Sequence, residues 1–130
     1  MRILIAEDDF ASRLFMKKFL SKYGECDVAS DGIEAVDSYL NSIKEKNIYD
    51  LICLDIMMPR LDGMKALKII RDIEKQMEKE IAKKVKIIMT TAINDKETVL
   101  NAYDTGCEAY AWKPIETDKF ILVMKKLGLI

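Results

Sequence analysis

The sequence contains no histidine among its 130 residues, and this absence excludes several kinds of catalytic site. Ser-His-Asp catalysis, Cys-His catalysis and His-ligated zinc all require an imidazole. The three cysteines, Cys26, Cys53 and Cys107, are an odd number and include no CxxC pair. They indicate reduced thiols and a reducing compartment, and they do not suggest a disulfide framework.

The chain also lacks a dominant charge and a long apolar run. Its 21 basic and 22 acidic side chains nearly cancel, so the basic footprint of a nucleic-acid-binding protein is absent. No apolar run approaches the length of a membrane span, and the apolar stretch at the N-terminus is too short for a signal peptide. We therefore expect a cytoplasmic protein that binds neither nucleic acid nor membrane directly.

Half of the residues are apolar, which is enough for the core of one domain of this length. We expect residues 1–130 to form that single domain, with no separate output domain. Short apolar runs alternate with longer segments of helical period, a pattern typical of a parallel sheet with helices on both faces. The predicted strands are residues 2–6, 26–30, 50–55, 85–91 and 108–112, and the predicted helices are residues 9–24, 31–46, 63–81, 94–106 and 116–128.

Acidic, hydroxyl and basic residues follow four of the predicted strands. Glu7 and Asp8 follow the first strand, Asp55 ends the third, Thr91 ends the fourth, and Lys113 follows the fifth. In an open α/β sheet, ligands bind outside the carboxyl ends of the strands. Carboxylates there suit Mg²⁺, while a lysine and a threonine suit phosphoryl oxygens. Asp55 is also placed to be a carboxylate nucleophile that forms an aspartyl phosphate.

Each of these residues has an ordinary role when it is taken alone. Acids before a helix commonly cap its N-terminus, and an aspartate after a strand is commonly a turn residue. The functional interpretation depends on four such features falling at four strand ends that one fold brings together.

At these residues the chain resembles the receiver domain of bacterial two-component response regulators of the chemotaxis-regulator type. The resemblance covers essentially the whole chain, and its most specific part is the Asp-x-x-Met-Pro-x-x-Asp-Gly pattern at 55–63. It implies a flavodoxin-like (βα)5 three-layer sandwich with a five-stranded parallel sheet in the order 2-1-3-4-5. The motifs that carry it are "ILIAEDD", "LICLDIMMPRLDG", "MTTA" and "AYAWKP".

The resemblance implies a metal-dependent phosphorylation site. Asp55 corresponds to the phosphoryl acceptor. Asp8 corresponds to a direct metal ligand, Glu7 to an acid that acts mostly through water, and the main-chain carbonyl of Met57 to a further ligand. The metal implied is Mg²⁺, with Mn²⁺ as an alternative.

The resemblance also implies a switch and its partners. Thr91 corresponds to the switch hydroxyl, Lys113 to the phosphate-binding lysine, and Tyr110 to the aromatic residue that changes rotamer on activation. The phosphodonor would be a histidine kinase or a phosphotransfer protein. A downstream effector protein would recognise the face made by the fourth helix, fifth strand and fifth helix, and the regulator would be a monomer or a weak dimer.

Some features depart from the family pattern. Glu7 stands where aspartate is more usual. Segments 42–49 and 76–84 are longer than in compact receivers, and we expect extra helical turns there, at the end of the sheet opposite the site. Met57 and Ile93 lie two residues after Asp55 and Thr91, and both are apolar. Because neither can orient a water molecule by hydrogen bonding, we expect slow self-dephosphorylation.

Other interpretations remain open at this point. The chain could be a receiver-like docking module that is never phosphorylated, or the receiver part of a longer regulator. A magnesium-dependent phosphatase commonly needs a second acid two residues after its nucleophile, where Met57 stands. A flavin carrier would place a phosphate beside the acidic "AEDDFAS" segment, which would repel it. We therefore expect a phosphoacceptor that turns over no external metabolite.

Overall fold

The computed structural model describes residues 1–130, and it contains five strands and five helices in strict alternation. None of the helices combines the length and the apolar character needed to cross a bilayer. In chain order the elements are β1 (Arg2–Ala6), α1 (Phe10–Leu20), β2 (Glu25–Ala29), α2 (Gly32–Lys44), β3 (Leu51–Leu54), α3 (Gly63–Gln76), β4 (Lys86–Thr91), α4 (Lys96–Thr105), β5 (Ala109–Trp112) and α5 (Thr117–Lys126).

The five strands form one sheet in the order β2-β1-β3-β4-β5. All four neighbouring pairs are parallel. The predicted fold class and strand order are therefore confirmed. Because every strand runs in the same direction, the five carboxyl ends lie along one edge of the sheet, and this edge collects the polar residues that follow the strands.

Two separate apolar cores lie on opposite faces of the sheet and make the molecule three layers thick. On one face, α1 and α5 cover side chains such as Leu51 and Cys53 of β3. On the other face, α2, α3 and α4 cover Ile52 and Leu54 of the same strand. Since β3 is buried on both faces, its sequence is continuously apolar and does not alternate.

Helix α1 buries only part of its apolar surface. Met16, Phe19 and Leu20 are buried, but Phe10 is 69% exposed and Leu14 is 44% exposed. Periodicity along the helix shows which residues share a face, and the tertiary packing decides how much of that face is covered. An apolar strip beside the carboxyl edge of the sheet consequently remains open to solvent.

The predicted helix over 63–81 ends earlier than expected, at Gln76. Glu74 faces inward, only 3% exposed, and its Oε2 accepts a hydrogen bond from the Val85 N–H at 2.9 Å. This contact holds the residue directly before β4 against α3. Beyond Gln76 the segment is rich in lysine and glutamate and has too few apolar residues to hold a helix against the core.

The expected extra helical turns at the far end of the sheet are likewise wrong. Residues 77–80 form hydrogen-bonded turns directly after α3, and residues 81–84 contain bends without helix. In the other segment α2 stops at Lys44, and Lys46 adopts a left-handed backbone with φ of 56°. The longer connections are therefore loops that carry charge at the surface.

Candidate functional site

The ends of β1 and β3 place two carboxylates side by side. Ala6 pairs with Leu54 in the sheet, so the following residues, Glu7 and Asp55, leave the sheet together. Both are buried, at 2% and 4% exposure, whereas the neighbouring Asp8 is exposed. One carboxylate oxygen from each of the three acids lies within 4.8 Å of the others. The predicted acidic cluster is therefore assembled in the fold.

Lys113 reaches this cluster from the end of β5. Its Nζ donates to Asp55 Oδ2 at 2.8 Å, and it also donates to Glu7 Oε1. Burial alone would lower the pKa of Lys113, but the hydrogen bonds from Lys113 to Asp55 and Glu7 outweigh it and raise that pKa. Lys113 is therefore a firmly charged counter-ion that is shared by the two buried acids.

Glu7 is held in place by its backbone and by its side chain. Burial raises the pKa of Glu7, although the hydrogen bonds from Lys113 and from the Asp9 N–H oppose that shift. Arg13 on α1 donates from Nη1 to the main-chain oxygen of Glu7 at 2.9 Å. The sequence alone does not single out Arg13, because an arginine one turn into a helix is usually a solvated side chain.

The loop between β3 and α3, residues 55–62, carries Asp55 at its start and folds tightly against it. The Gly63 N–H donates to the Ile56 carbonyl at 2.8 Å. A Cβ at Gly63 would stand 1.9 Å from the carbonyl oxygen of Asp55, so no larger residue fits. Met57 is 67% exposed, and its backbone N–H donates a hydrogen bond to Asp55 Oδ1 at 3.3 Å. The glycine of the sequence motif thus allows the loop to close around the carboxylate.

Thr91 and Tyr110 lie beside the cluster and bond to the loop that follows β4. Thr91 is 1% exposed, and its hydroxyl accepts a hydrogen bond from the Ile93 N–H at 3.4 Å. The Tyr110 hydroxyl donates to the Ile93 carbonyl at 2.6 Å. Burial, followed by the charge of Asp95, raises the pKa of Tyr110 to about 12. Both side chains therefore hold the start of the segment that leads into α4.

The structure thus brings together Glu7, Asp8, Asp55 and Lys113 in one contact cluster. Thr91 and Tyr110 lie on the same edge of the sheet but make their hydrogen bonds to Ile93. Asp9, which immediately follows the acidic pair, caps α1 by accepting from the Ser12 N–H at 2.9 Å. Asp9 is therefore a capping acid and is distinct from the acids of the cluster.

Residues 3–125 match the family model described as "Response regulator receiver domain". The chain is 32% identical over 127 residues to the chemotaxis protein CheY of Bacillus subtilis, covering 96% of this chain and 95% of that protein. It is 34% identical over 134 residues to hybrid signal transduction histidine kinase B of Dictyostelium discoideum. That match covers 98% of this chain but only 7% of the kinase.

Solved structures give the same result. A CheX–CheY–BeF3–Mg²⁺ complex from Borrelia burgdorferi contains a chain that superposes with a TM-score of 0.84 at 25% identity, covering 98% of this chain and 89% of that one. A complex of the Saccharomyces cerevisiae phosphotransfer protein Ypd1 with the receiver domain of Ssk1 matches with a TM-score of 0.81 at 28% identity, covering 100% of this chain and 92% of that one. The chain therefore belongs to the response regulator receiver family, whose members are the phosphoacceptors of two-component signalling.

Proposed function

We propose that Asp55 accepts a phosphoryl group from the phosphohistidine of a kinase or phosphotransfer protein, and that this reaction depends on a divalent metal ion. The observation that carries the proposal is the burial of Asp55 between a lysine and two further acids. A carboxylate is costly to bury unless charged partners compensate for it. The end of β3 holds such a carboxylate beside the solvent edge, where a phosphoryl group can reach it.

The acidic cluster suits Mg²⁺, with Mn²⁺ as an alternative. Mg²⁺ holds oxygen ligands at about 2.1 Å, so two ligands of one ion lie at most about 4.2 Å apart. The three carboxylates cluster within 4.8 Å, which fits direct contacts from Asp8 and Asp55 and a contact through water from Glu7. The main-chain carbonyl of Met57 would be a further ligand. When bound, the metal ion supplies positive charge against the phosphoryl oxygens.

The residues of the chain itself supply the nucleophile and the remaining charge. A carboxylate oxygen of Asp55 forms a bond to phosphorus while the phosphorus–nitrogen bond of the phosphohistidine breaks. The electron pair of that bond leaves with the imidazole nitrogen. Lys113, already bonded to Asp55, neutralises charge on the transferred group. No metabolite is turned over, because the protein itself carries the product.

The proposed switch connects this edge with α4, β5 and α5. On phosphorylation, the Thr91 hydroxyl moves to a phosphoryl oxygen and gives up its bond with the Ile93 N–H. Tyr110, which is bonded to the same residue, then adjusts with the loop. The face made by α4, β5 and α5 is thereby biased toward the form that binds a downstream effector protein.

An open groove beside the cluster supports docking of a phosphodonor protein. Its volume is about 580 Å³, and it is lined by Phe15 and Met16 of α1, by Ile115, and by Glu7 and Lys113 at the cluster. Apolar surface next to a charged centre suits a protein that delivers a reactive side chain. The Ypd1–Ssk1 complex shows a phosphotransfer protein bound to a receiver domain of the same fold.

We propose that residues 1–130 act as a stand-alone regulator, as the nearly full coverage of the Bacillus subtilis CheY supports. The alternative, a receiver segment within a longer protein, is supported by the match to the hybrid kinase. Antibody detection of the native gene product, with its mass, distinguishes the two. A product near 14.9 kDa supports the first.

Intact mass spectrometry after incubation with a small-molecule acyl phosphate tests the proposed chemistry. We expect the native chain to gain one phosphoryl group with Mg²⁺ and none with a chelator. Asp55→Asn should gain none, because an amide is a poor nucleophile toward phosphorus. Asp62→Asn is the matched control, since Asp62 lies in the same loop but caps α3.

The outcomes separate the alternatives. Addition that survives Asp55→Asn would show that another residue is the acceptor. No addition from the small donor or from a phosphorylated histidine phosphotransfer protein would favour the unphosphorylated docking module.

A further inference from the structure

Arg60, in the loop after Asp55, has a backbone conformation that non-glycine residues rarely adopt. Its φ is 66°, in the left-handed region, where glycine and asparagine fit with less strain. Strain of this kind persists where surrounding contacts hold the residue, and it concentrates at functional sites. The contacts of the Arg60 side chain therefore indicate what holds this conformation.

The Arg60 side chain reaches the carboxylate that caps α2. Asp31 is 6% exposed, and each of its oxygens has a separate contact. Oδ1 accepts from the Glu34 N–H at 2.8 Å, which caps the helix. Oδ2 lies 3.4 Å from Arg60 Nε. Asp31 therefore has a second contact, beyond its capping role, with the loop that follows β3.

The backbone makes the same connection more closely. A Cβ at Gly32 would stand 2.0 Å from the carbonyl oxygen of Leu61, so the loop lies directly on the first residue of α2. Within the loop, the Leu61 N–H donates to the Pro59 carbonyl at 2.7 Å, and the Met58 N–H donates to the Ile56 carbonyl at 3.1 Å. These bonds fold residues 56–61 into two consecutive tight turns, the first around Met57 and the second around Arg60.

We propose that Asp31 and Arg60 are positioning residues, forming a latch that fixes the loop and thereby the Met57 backbone beside Asp55. This inference rests on the proposed function, because it assigns the latch to the metal site at Asp55. Since Met57 is three residues before Arg60, loss of the ion pair lets its carbonyl and its N–H drift from the acidic cluster. The affinity for Mg²⁺ falls as a result, although Asp31 and Arg60 do not touch the metal.

Two variants separate the latch from ordinary stabilisation. Arg60→Gly removes the guanidinium and relieves the left-handed strain, so its Tm should stay the same or rise. Asp31→Asn keeps a good N-cap but removes the charge that attracts Arg60. For both, we expect the Kd for Mg²⁺, measured by calorimetry on the unphosphorylated full chain, to rise about threefold to tenfold, since outer partners of metal ligands have effects of this order or larger.

The controls show whether the effect belongs to the latch. Asp95 is the N-cap of α4 and makes no ion pair with an arginine. The Asp95→Asn variant removes its charge but keeps a good N-cap. We expect the Kd of this variant for Mg²⁺ to stay within about twofold of the native value. Arg60→Lys retains the charge and should recover part of the affinity. In metal-free protein, amide exchange at Met58 and Leu61 should be faster in Arg60→Gly.

The possible failures are distinguishable. If the native protein binds Mg²⁺ and the Kd of both variants stays within about twofold of the native value, the latch is wrong. The proposed function is unaffected by that result. An equal rise of the Kd for Mg²⁺ in Asp95→Asn would also overturn the latch. The effect would then come from the loss of negative charge at any helix N-cap. Native protein that binds no Mg²⁺ would overturn the proposed metal site, and the latch with it.

Discussion

Met57 and Ile93 present no side-chain hydrogen-bonding group at two positions close to Asp55 and Thr91 in the chain. Met57 is mostly exposed, while Ile93 is half-buried and makes its hydrogen bonds through its backbone. Hydrolysis of an aspartyl phosphate requires a water molecule aligned with phosphorus. A side chain that can hold this water lowers the barrier, and apolar side chains cannot do so.

We expect Met57→Asn and Ile93→Glu each to shorten the lifetime of the phosphorylated protein roughly tenfold, equivalent to about 1.4 kcal/mol of barrier. The loss of the phosphoryl group is followed by intact mass after the donor is removed. Met57→Leu and Ile93→Val are the controls, since they retain apolar character and should leave the lifetime nearly unchanged. A lifetime that responds equally to all four substitutions would show that packing sets it.

At the scale of the elements, Arg71 joins α3 to the entries of β4 and β5. Its guanidinium donates to both oxygens of Glu108 at 2.8 Å, to Glu74 Oε1 at 2.6 Å, and to the carbonyls of Val85 and Gly106. A planar guanidinium is suited to such an array, and a lysine could not reproduce it. The end of α4 and the start of β5 are consequently fixed on α3.

Arg71→Met should lower the free energy of unfolding by about 3 kcal/mol, because it leaves Glu74 buried without its charged partner. Denaturant titration measures the difference through the unfolding midpoint. Lys68→Met is the control on the same helix, where Lys68 and Asp72 form an exposed pair, and it should cost under about 0.5 kcal/mol. If Arg71→Met cost no more than this control, the network would contribute little net stability.

At the scale of the whole molecule, Asp50 links the amino end of β3 to the start of β1 and to the loop before β4. Its Oδ2 accepts from the Arg2 N–H at 2.7 Å, and its Oδ1 accepts from Lys83. Burial alone would raise the pKa of Asp50, but the hydrogen bonds from Lys83 and Arg2 outweigh it and hold that pKa below its ordinary value of 3.8. Its charged form therefore stabilises the folded sheet.

A depressed pKa gives stability that is fully present above the ordinary value of 3.8 and is lost as the pH falls through the lower folded pKa. We expect Asp50→Asn to be less stable than the native chain by about 1 kcal/mol at neutral pH. The two should converge as the pH is lowered below 3.8. Urea unfolding at a series of pH values tests this, with Asp72→Asn as the exposed control; a difference that persists undiminished at low pH would contradict it.

The sequence by itself determined the alternation of elements, the fold class and which polar side chains lie at the carboxyl edge. Strand and helix periods are local properties, and parallel strands necessarily place their ends together, so Asp55 and Lys113 could be assigned to one edge before any contact was known. The glycine and proline of the loop motif are likewise local signals, because close approach at Gly63 excludes every side chain.

Only the tertiary structure decided how the charges are shared. The contact of Glu74 with the Val85 N–H and the sharing of Lys113 between Glu7 and Asp55 both join separate segments of the chain. The exposure of Phe10 and the ion pair between Arg60 and Asp31 could not be predicted from the sequence either. These four features share one physical reason. The periodicity of the sequence indicates which face of an element a residue occupies. Burial and ion pairing depend on which distant segment packs against that face.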